Sequence, residues 1–228
     1  MITNKKSFSI GVAMMLSFIV ILVIIFSPVF NGDNGLRFLD GVFNSMSKGS
    51  AYYVPVVEKK ISSFKGSNIN LAIELDDKAM AEKSAQLLQK AGIDVKTDGA
   101  KLEFDGDFGM ILESCLKDSD LLYKNDGDAL KAKYNYNERA VIYNWHNLLN
   151  KIDKELTRQK NFENAKAIAL VNHKVVETAY NYYGIAAKTV QESLGILIFS
   201  LIFYVIYTLW YGFGLMYLFE SVGLSFDH

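Results

Sequence analysis

The sequence predicts a membrane protein in which two transmembrane α-helices flank an extracytoplasmic α+β domain, and three observations lead to this fold class. Two long apolar segments, 8–30 and 193–219, contain no charged residue, so the 24 Lys and Arg and the 25 Asp and Glu of the 228-residue chain all lie elsewhere. Residues 67–124 show strand and helix patterns in the order β-α-β-β-α. Residues 125–192 carry apolar stripes with helical spacing, which predict a long-helix hairpin leading to the membrane.

The composition excludes several classes of protein. A formal net charge of −1 argues against a nucleic-acid partner, because proteins that coat nucleic acid carry a basic excess. The single cysteine, Cys115, rules out an internal disulfide framework and a four-cysteine zinc site. We expect this cysteine to be buried and structural, because no basic or histidine partner is adjacent to it in the sequence.

Residues 1–7 are predicted to form a cytoplasmic N-terminus, and residues 8–30 the first transmembrane helix. A helix of that length spans about 34 Å, more than the roughly 30 Å hydrocarbon core of a bilayer. A cleaved signal peptide would share the basic start at Lys5 and Lys6. However, the apolar run is longer than the usual signal core of about 7–15 residues, and no Ala-x-Ala-like site follows it. We therefore interpret the segment as a retained anchor.

Residues 31–66 are predicted to form short amphipathic helices. Asn34 is a candidate N-cap for the first of them, and Gly49 lies just past its expected end. Pro55 is placed to open the second, because proline is tolerated at the first helical position. Gly66 is expected to end it.

The β-α-β-β-α order rests on alternation and on turn residues. Residues 69–75 alternate between apolar and polar, as a half-buried strand does, and the pair Asp76–Asp77 can cap the helix that follows. Asp98 and Gly99 predict a hairpin between the second and third strands. Asp107 can cap the next helix. This order belongs to a split βαβ arrangement, and because no convincing final strand follows, we expect an incomplete, three-stranded sheet.

Two longer helices are predicted after this unit. Residues 124–137 read as a loop, after which Asn137 can cap a helix that reaches to about residue 160. A second helix begins near Phe162, and its pattern runs on toward the second apolar segment. Gly184 is the one helix-weakening residue on the way, so a kink is expected there. The two helices are predicted to pair as an antiparallel hairpin.

The second transmembrane helix is predicted at residues 193–219, followed by a cytoplasmic tail at residues 220–228. Two spans place both ends of the chain on one side of the membrane, and Lys5 and Lys6 favour the cytoplasmic side by the positive-inside rule. The localisation that follows is a multi-pass protein of the cell membrane, in bacteria the inner membrane, with the central domain outside the cytoplasm.

Candidate chemical groups are few, and we expect neither enzyme activity nor a cofactor. His146 and His173 lie 15 and 12 residues from the turn expected at Asn161, so the hairpin can bring them together. Hydrogen bonding between helices is the interpretation we favour over a shared haem or metal. His228 is the remaining histidine. The acidic pairs at 76/77, 105/107 and 118/120 are interpreted as helix caps and turns, and not as a divalent-cation site.

Hydroxyl-bearing and small side chains indicate where partners bind. In the second apolar segment they fall on one helical face, where such residues favour contacts between helices over contacts with lipid tails. Tyrosines also cluster about ten residues before that segment, where an aromatic ring with a polar tip suits a half-wet interface. The predicted partner-contact residues are Ser200, Tyr204, Tyr207, Thr208, Tyr211, Gly212, Tyr180, Tyr182 and Tyr183.

Three classes of function are compatible with these features. We expect a non-enzymatic accessory, scaffold or assembly subunit of a membrane complex, which has the lipid bilayer and other membrane subunits, or further copies of itself, as partners. The alternative is a homo-oligomeric, extracytoplasmic module that senses a ligand or regulates polysaccharide chain length, because the two-span layout resembles that of polysaccharide co-polymerases in topology alone. The third is a redox-complex subunit that shares a cofactor with a partner.

Overall fold

The computed structural model describes residues 2–224 and divides them into two compact units. Unit 1 comprises residues 2–50 and 187–224, and unit 2 comprises residues 51–186. The three strands are β1 Asn68–Glu74, β2 Asp94–Asp98 and β3 Lys101–Asp107. The helices are α1 Lys5–Phe26, α2 Gly35–Ser50, α3 Val54–Ile61, α4 Lys78–Lys90, α5 Phe108–Tyr123, α6 Gly127–Tyr134, α7 Glu138–Arg158, α8 Phe162–Val171, α9 Glu177–Tyr182 and α10 Val190–Ser221.

The coarse fold class is confirmed. Helices α1 and α10 are each long and apolar enough to cross a membrane, and the chain between them forms a domain with a small three-stranded sheet and several helices. Helix α1 begins earlier than predicted, because the side chain of Asn4 accepts hydrogen bonds from the backbone N–H groups of Lys6 and Ser7. It ends at Phe26, because Pro28 disfavours the helical conformation in the residue before it.

Unit 1 is built on the side-by-side packing of α1 and α10. The two helices approach each other closely at two glycines. At Gly11, a Cβ atom would lie 2.9 Å from the Cγ of Leu218, and at Gly214 one would lie 3.1 Å from the Sδ of Met15. Most of the large apolar side chains of both helices remain exposed. A soluble protein rarely leaves so much contiguous apolar surface in water.

The sheet of unit 2 has the strand order β1-β3-β2, with both neighbouring pairs antiparallel. This is the three-stranded split βαβ arrangement predicted from the sequence, and Gly99 adopts a φ of +60° in the predicted hairpin turn. Leu71, Ile73, Leu102 and Phe104 lie on the buried face. Helix α4 packs on β2 and β3, and α7 packs on β1.

The predicted helix caps are present in unit 2. Asp77 accepts a hydrogen bond from the backbone N–H of Met80 at 2.7 Å, and Asn137 accepts one from Ala140 at 3.1 Å. Asp107 accepts from Gly109 through one carboxylate oxygen and from Gly66 through the other. Asp107 therefore also ties the end of β3 to the chain that precedes β1.

The prediction of a loop over residues 124–137 is wrong, because this segment contains α6. Leu130 and Tyr134 are buried in the core of unit 2, and their burial stabilises a helix that has weak periodicity of its own. The helix ends where Asn135 adopts a φ of 62°, a left-handed conformation that asparagine tolerates better than most residues.

Helices α7 and α8 pack against each other, as the predicted hairpin requires, and the turn between them contains Lys160 at a φ of 60°. A π-helical turn at Asn172–Val176 joins α8 to α9. Helix α9 ends at Tyr182, and Gly184 adopts a φ of +84°. The chain is therefore interrupted at the predicted weak point, and α10 begins separately after a Thr189–Glu192 capping box.

Candidate functional site

Two of the predicted partner-contact residues in α10 face α1 of the same chain. The hydroxyl of Tyr207 donates a hydrogen bond to the backbone oxygen of Phe18 at 3.1 Å, and the two rings stack with centroids 4.3 Å apart. The ring of Tyr211 lies 5.0 Å from that of Phe18. Trp210, which is not one of the predicted partner-contact residues, donates to the backbone oxygen of Met14 at 3.1 Å. These aromatic residues form one part of the contact between α1 and α10.

The remaining four predicted residues of α10 form a polar ridge at intervals of four residues: Ser200, Tyr204, Thr208 and Gly212. The hydroxyls of Ser200 and Thr208 donate to backbone oxygens one turn earlier, both at 2.7 Å. Nothing lies within 4 Å of a Cβ atom built on Gly212. Tyr204 is 66% exposed, and its hydroxyl has no hydrogen-bond partner among residues 2–224. The polar ridge is therefore not covered by α1.

The tyrosine cluster at the C-terminal end of α9, which includes the next residue Tyr183, takes part in packing within unit 2. Tyr182 meets Tyr123 edge-on, with centroids 6.4 Å apart. The hydroxyl of Tyr183 donates to a carboxylate oxygen of Glu138 at 3.1 Å. Tyr180 is the most exposed of the three, and the guanidinium of Arg139 lies 5.5 Å from its ring centroid. Whether a partner also binds these tyrosines stays a prediction.

This aromatic packing predicts that unit 2 loses stability at alkaline pH. Burial, followed by the neighbouring Tyr182, Tyr52 and Tyr53, raises the pKa of Tyr123 to about 12, against about 10 for an exposed tyrosine. Between these values the unfolded chain loses a proton that the folded chain keeps, so stability falls as pH rises. From pH 9 to pH 11 in urea titrations, we expect the wild type to lose about 1 kcal/mol more than Tyr123→Phe; equal losses would contradict the prediction.

The most deeply buried polar cluster of unit 2 centres on Asp118. One carboxylate oxygen accepts hydrogen bonds from the hydroxyl of Tyr134 at 2.5 Å and from the indole N–H of Trp145 at 2.9 Å. The other accepts from the ammonium of Lys133 at 2.6 Å. The cluster joins α5, α6 and α7, and Asp118 is fully buried. Burial, followed by the adjacent carboxylate, raises the pKa of Tyr134 above its usual value.

The interpretation of Asp118 as a cap or turn residue is wrong. The sequence does carry a signal of its burial, because Asp118 falls at helical spacing in the apolar stripe formed by Ile111, Cys115 and Leu122. Cys115 itself is fully buried, as predicted. Burial and then the charge of Asp118 raise the pKa of its thiol well above the usual value, so the thiol is not activated as a nucleophile.

The hairpin brings His146 and His173 to the same carboxylate. An oxygen of Glu177 accepts a hydrogen bond from Nδ1 of His173 at 2.8 Å and lies 3.9 Å from Nδ1 of His146. His146 also belongs to a closed ring of hydrogen bonds with Asn150 and Asn172, with distances of 2.9 to 3.0 Å. Both ring nitrogens of His146 are therefore engaged within unit 2.

A cavity of about 240 Å³ opens beside these residues, between α7 and α9. Its floor is apolar and includes Ile142 and Val176. Its rim carries Tyr143, Tyr180 and Glu177. The combination of an apolar floor and a few convergent polar groups is typical of a site for a small ligand.

Among residues 2–224, no group of three or more His, Cys, Asp or Glu is arranged to hold a metal ion. The acidic pair at 76/77 caps α4 through one member and forms an ion pair with Lys151 at 2.7 Å through the other. His228 and residues 225–228 of the predicted tail lie outside the described residues.

Comparison of the chain with protein-family models, with curated protein sequences and with solved structures finds no match.

Proposed function

We propose that this chain is a two-span membrane protein that acts as a non-enzymatic accessory or assembly subunit, and that the polar ridge of α10 binds a helix of another membrane polypeptide. The observation that carries the proposal is the exposed hydroxyl of Tyr204. Tyr204 lies two residues from the centre of the uncharged segment 193–219, about 3 Å along the helix axis. At that depth its hydroxyl cannot reach the headgroup region and needs an acceptor from a partner.

The geometry of the ridge suits a helix–helix contact. Gly212 leaves the backbone open to a neighbouring helix. The hydroxyls of Ser200 and Thr208 already donate hydrogen bonds within α10, so a second helix can pack here without leaving them unpaired. The contact between α1 and α10 supports a retained α1, because a hydrogen bond from Tyr207 and one from Trp210 hold the two helices together.

The localisation that we propose is the cell membrane, in bacteria the inner membrane, with both ends cytoplasmic and unit 2 outside. Lys5 and Lys6 support this orientation by the positive-inside rule. Protease added to spheroplasts is expected to cut within residues 51–186 and to leave an N-terminal tag intact. Cleavage of the tag alone would indicate the opposite orientation, with unit 2 in the cytoplasm.

Photo-crosslinking in the native membrane tests the partner. A benzophenone amino acid in place of Tyr204 is expected to give an adduct with a different membrane polypeptide, because position 204 faces the partner helix. The matched control places the same residue at Ile206, an exposed apolar position two residues away on another side of α10, where lipid alone should react. An adduct between two copies of this chain would favour the homo-oligomeric alternative, and no protein adduct at position 204 would overturn the proposal.

A further inference from the structure

We propose that the cavity between α7 and α9 is a binding site for a small organic cation, either a primary or a quaternary ammonium group. The site lies within unit 2, so the inference goes beyond the proposed subunit function and does not rest on membrane insertion. Three features of the cavity carry it: its charge, its unpartnered tyrosine ring and the irregular turn that shapes it.

The cavity lining carries a carboxylate that can attract a cation. Glu177 is the one acidic residue of its lining, and no Lys or Arg belongs to that lining. His146 also lines the cavity, but both of its ring nitrogens are already engaged by Asn150 and Asn172. One carboxylate oxygen of Glu177 is occupied by His173, and the other accepts no hydrogen bond from the described residues. That second oxygen is available to an ammonium N–H.

Tyr143 supplies an aromatic ring that is not used in ring stacking or hydrogen bonding with the other described residues. It is 50% exposed, and it makes no ring contact or side-chain hydrogen bond with any other described residue. Aromatic faces attract ammonium groups through the ring quadrupole, by about 0.5–2 kcal/mol. Tyr180, the other tyrosine of the lining, already lies 5.5 Å from the guanidinium of Arg139, so Tyr143 is the ring left for a ligand. The apolar floor suits the hydrocarbon part of such a ligand.

The π-helical turn positions the acidic group. It spans Asn172–Val176 and ends immediately before Glu177. A π turn inserts one residue into the helix, and each residue turns a helix by about 100°, so the turn changes the direction in which Glu177 and Tyr180 face. Asn172, its first residue, bonds to His146 across the hairpin. Such turns recur at functional sites.

The test uses the full chain in lipid nanodiscs and saturation-transfer NMR with isobutylammonium, which has isobutanol and isobutyrate as neutral and anionic counterparts of similar size. We expect saturable binding of isobutylammonium alone, weakened at least tenfold by Glu177→Gln. The matched control, Glu103→Gln, removes an acid from the exposed face of the sheet and should leave binding unchanged.

Tyr143→Ala provides a second variant that keeps every hydrogen bond around Glu177. This substitution should weaken isobutylammonium binding several-fold while the circular dichroism spectrum and the melting temperature stay unchanged. If Glu177→Gln does not fold, the result for Tyr143→Ala alone tests the proposal. Equal binding of isobutanol would show that the cavity binds apolar groups and does not select for positive charge. That result, or binding that survives both variants, would overturn the proposal.

Discussion

Replacing Asp118 by alanine is expected to lower the free energy of unfolding of unit 2 by about 3–5 kcal/mol. The substitution leaves the hydroxyl of Tyr134 and the indole N–H of Trp145 buried without an acceptor. Each stranded donor costs about 1–3 kcal/mol. The ammonium of Lys133 is about one-third exposed, so water replaces part of its lost ion pair. A loss of this size is a large fraction of the stability of most domains.

The measurement is urea unfolding of the full chain in a mild detergent, followed by Trp145 fluorescence in a Trp210→Phe background. Asp120→Ala is the matched control, because Asp120 lies two residues away on the same helix and bonds to Lys124 and Tyr52 near the surface. An ion pair of that kind contributes about 0–1 kcal/mol. If both alanine variants lost the same stability, the Asp118 cluster would have no special role.

Asp118→Asn separates the loss of charge from the loss of volume. An asparagine keeps the shape and one acceptor oxygen, but its amide N–H₂ faces the donors of Tyr134, Trp145 and Lys133. We therefore expect a stability between those of the wild type and Asp118→Ala. An asparagine variant as stable as the wild type would show that shape, and not the carboxylate, holds the three helices together.

The elements that could be predicted from the sequence are those set by local patterns. Residues 69–75 alternate, Asp107 precedes a helical stripe, and an Asp98–Gly99 pair favours a hairpin; each depends on residues within a few positions of one another. The two apolar helices are also local features, because their length and lack of charge are visible directly.

The elements that were missed depend on distant partners. Helix α6 has two buried anchors, Leu130 and Tyr134, in eight residues, too few for a periodic signal. The role of Asp118 as an acceptor depends on Tyr134 and Trp145, which lie 16 and 27 residues later in the chain. A local sequence pattern does not indicate such distant donors. The acidic pair at 118/120 therefore divides into one buried and one surface carboxylate.

In the candidate site, too, some features could be predicted from the sequence and others could not. A simple count from the hairpin turn anticipated that His146 and His173 approach each other. The π-helical turn and the cavity beside it were not anticipated, because the apolar residues Val171, Val175 and Ala179 keep ordinary helical steps of four residues through this segment. The α10 face was predicted as one surface, but the position of α1 splits it into an internal contact at Tyr207 and an open ridge at Tyr204.

Replacing Gly11 by leucine is expected to separate α1 from α10. A Cβ atom at position 11 would lie 3.0 Å from the backbone nitrogen of Leu218, and backbone cannot move aside as a flexible side chain does. Overpacking of this kind costs about 1–3 kcal/mol, which corresponds to a roughly 5–150-fold shift in the equilibrium between packed and separated helices.

Disulfide formation between the two helices provides the measurement. A Cβ atom at position 214 would lie 3.4 Å from that of Met14, close to the separation found in disulfides, so Met14→Cys and Gly214→Cys in a Cys115→Ala background should cross-link within one chain. We expect Gly11→Leu to reduce this cross-link several-fold. Gly195→Leu is the matched control, because nothing lies within 4 Å of a Cβ atom there. If both leucines left the cross-link unchanged, Gly11 would not set the approach of the helices; if both abolished it, added bulk anywhere in this helix pair would be the cause.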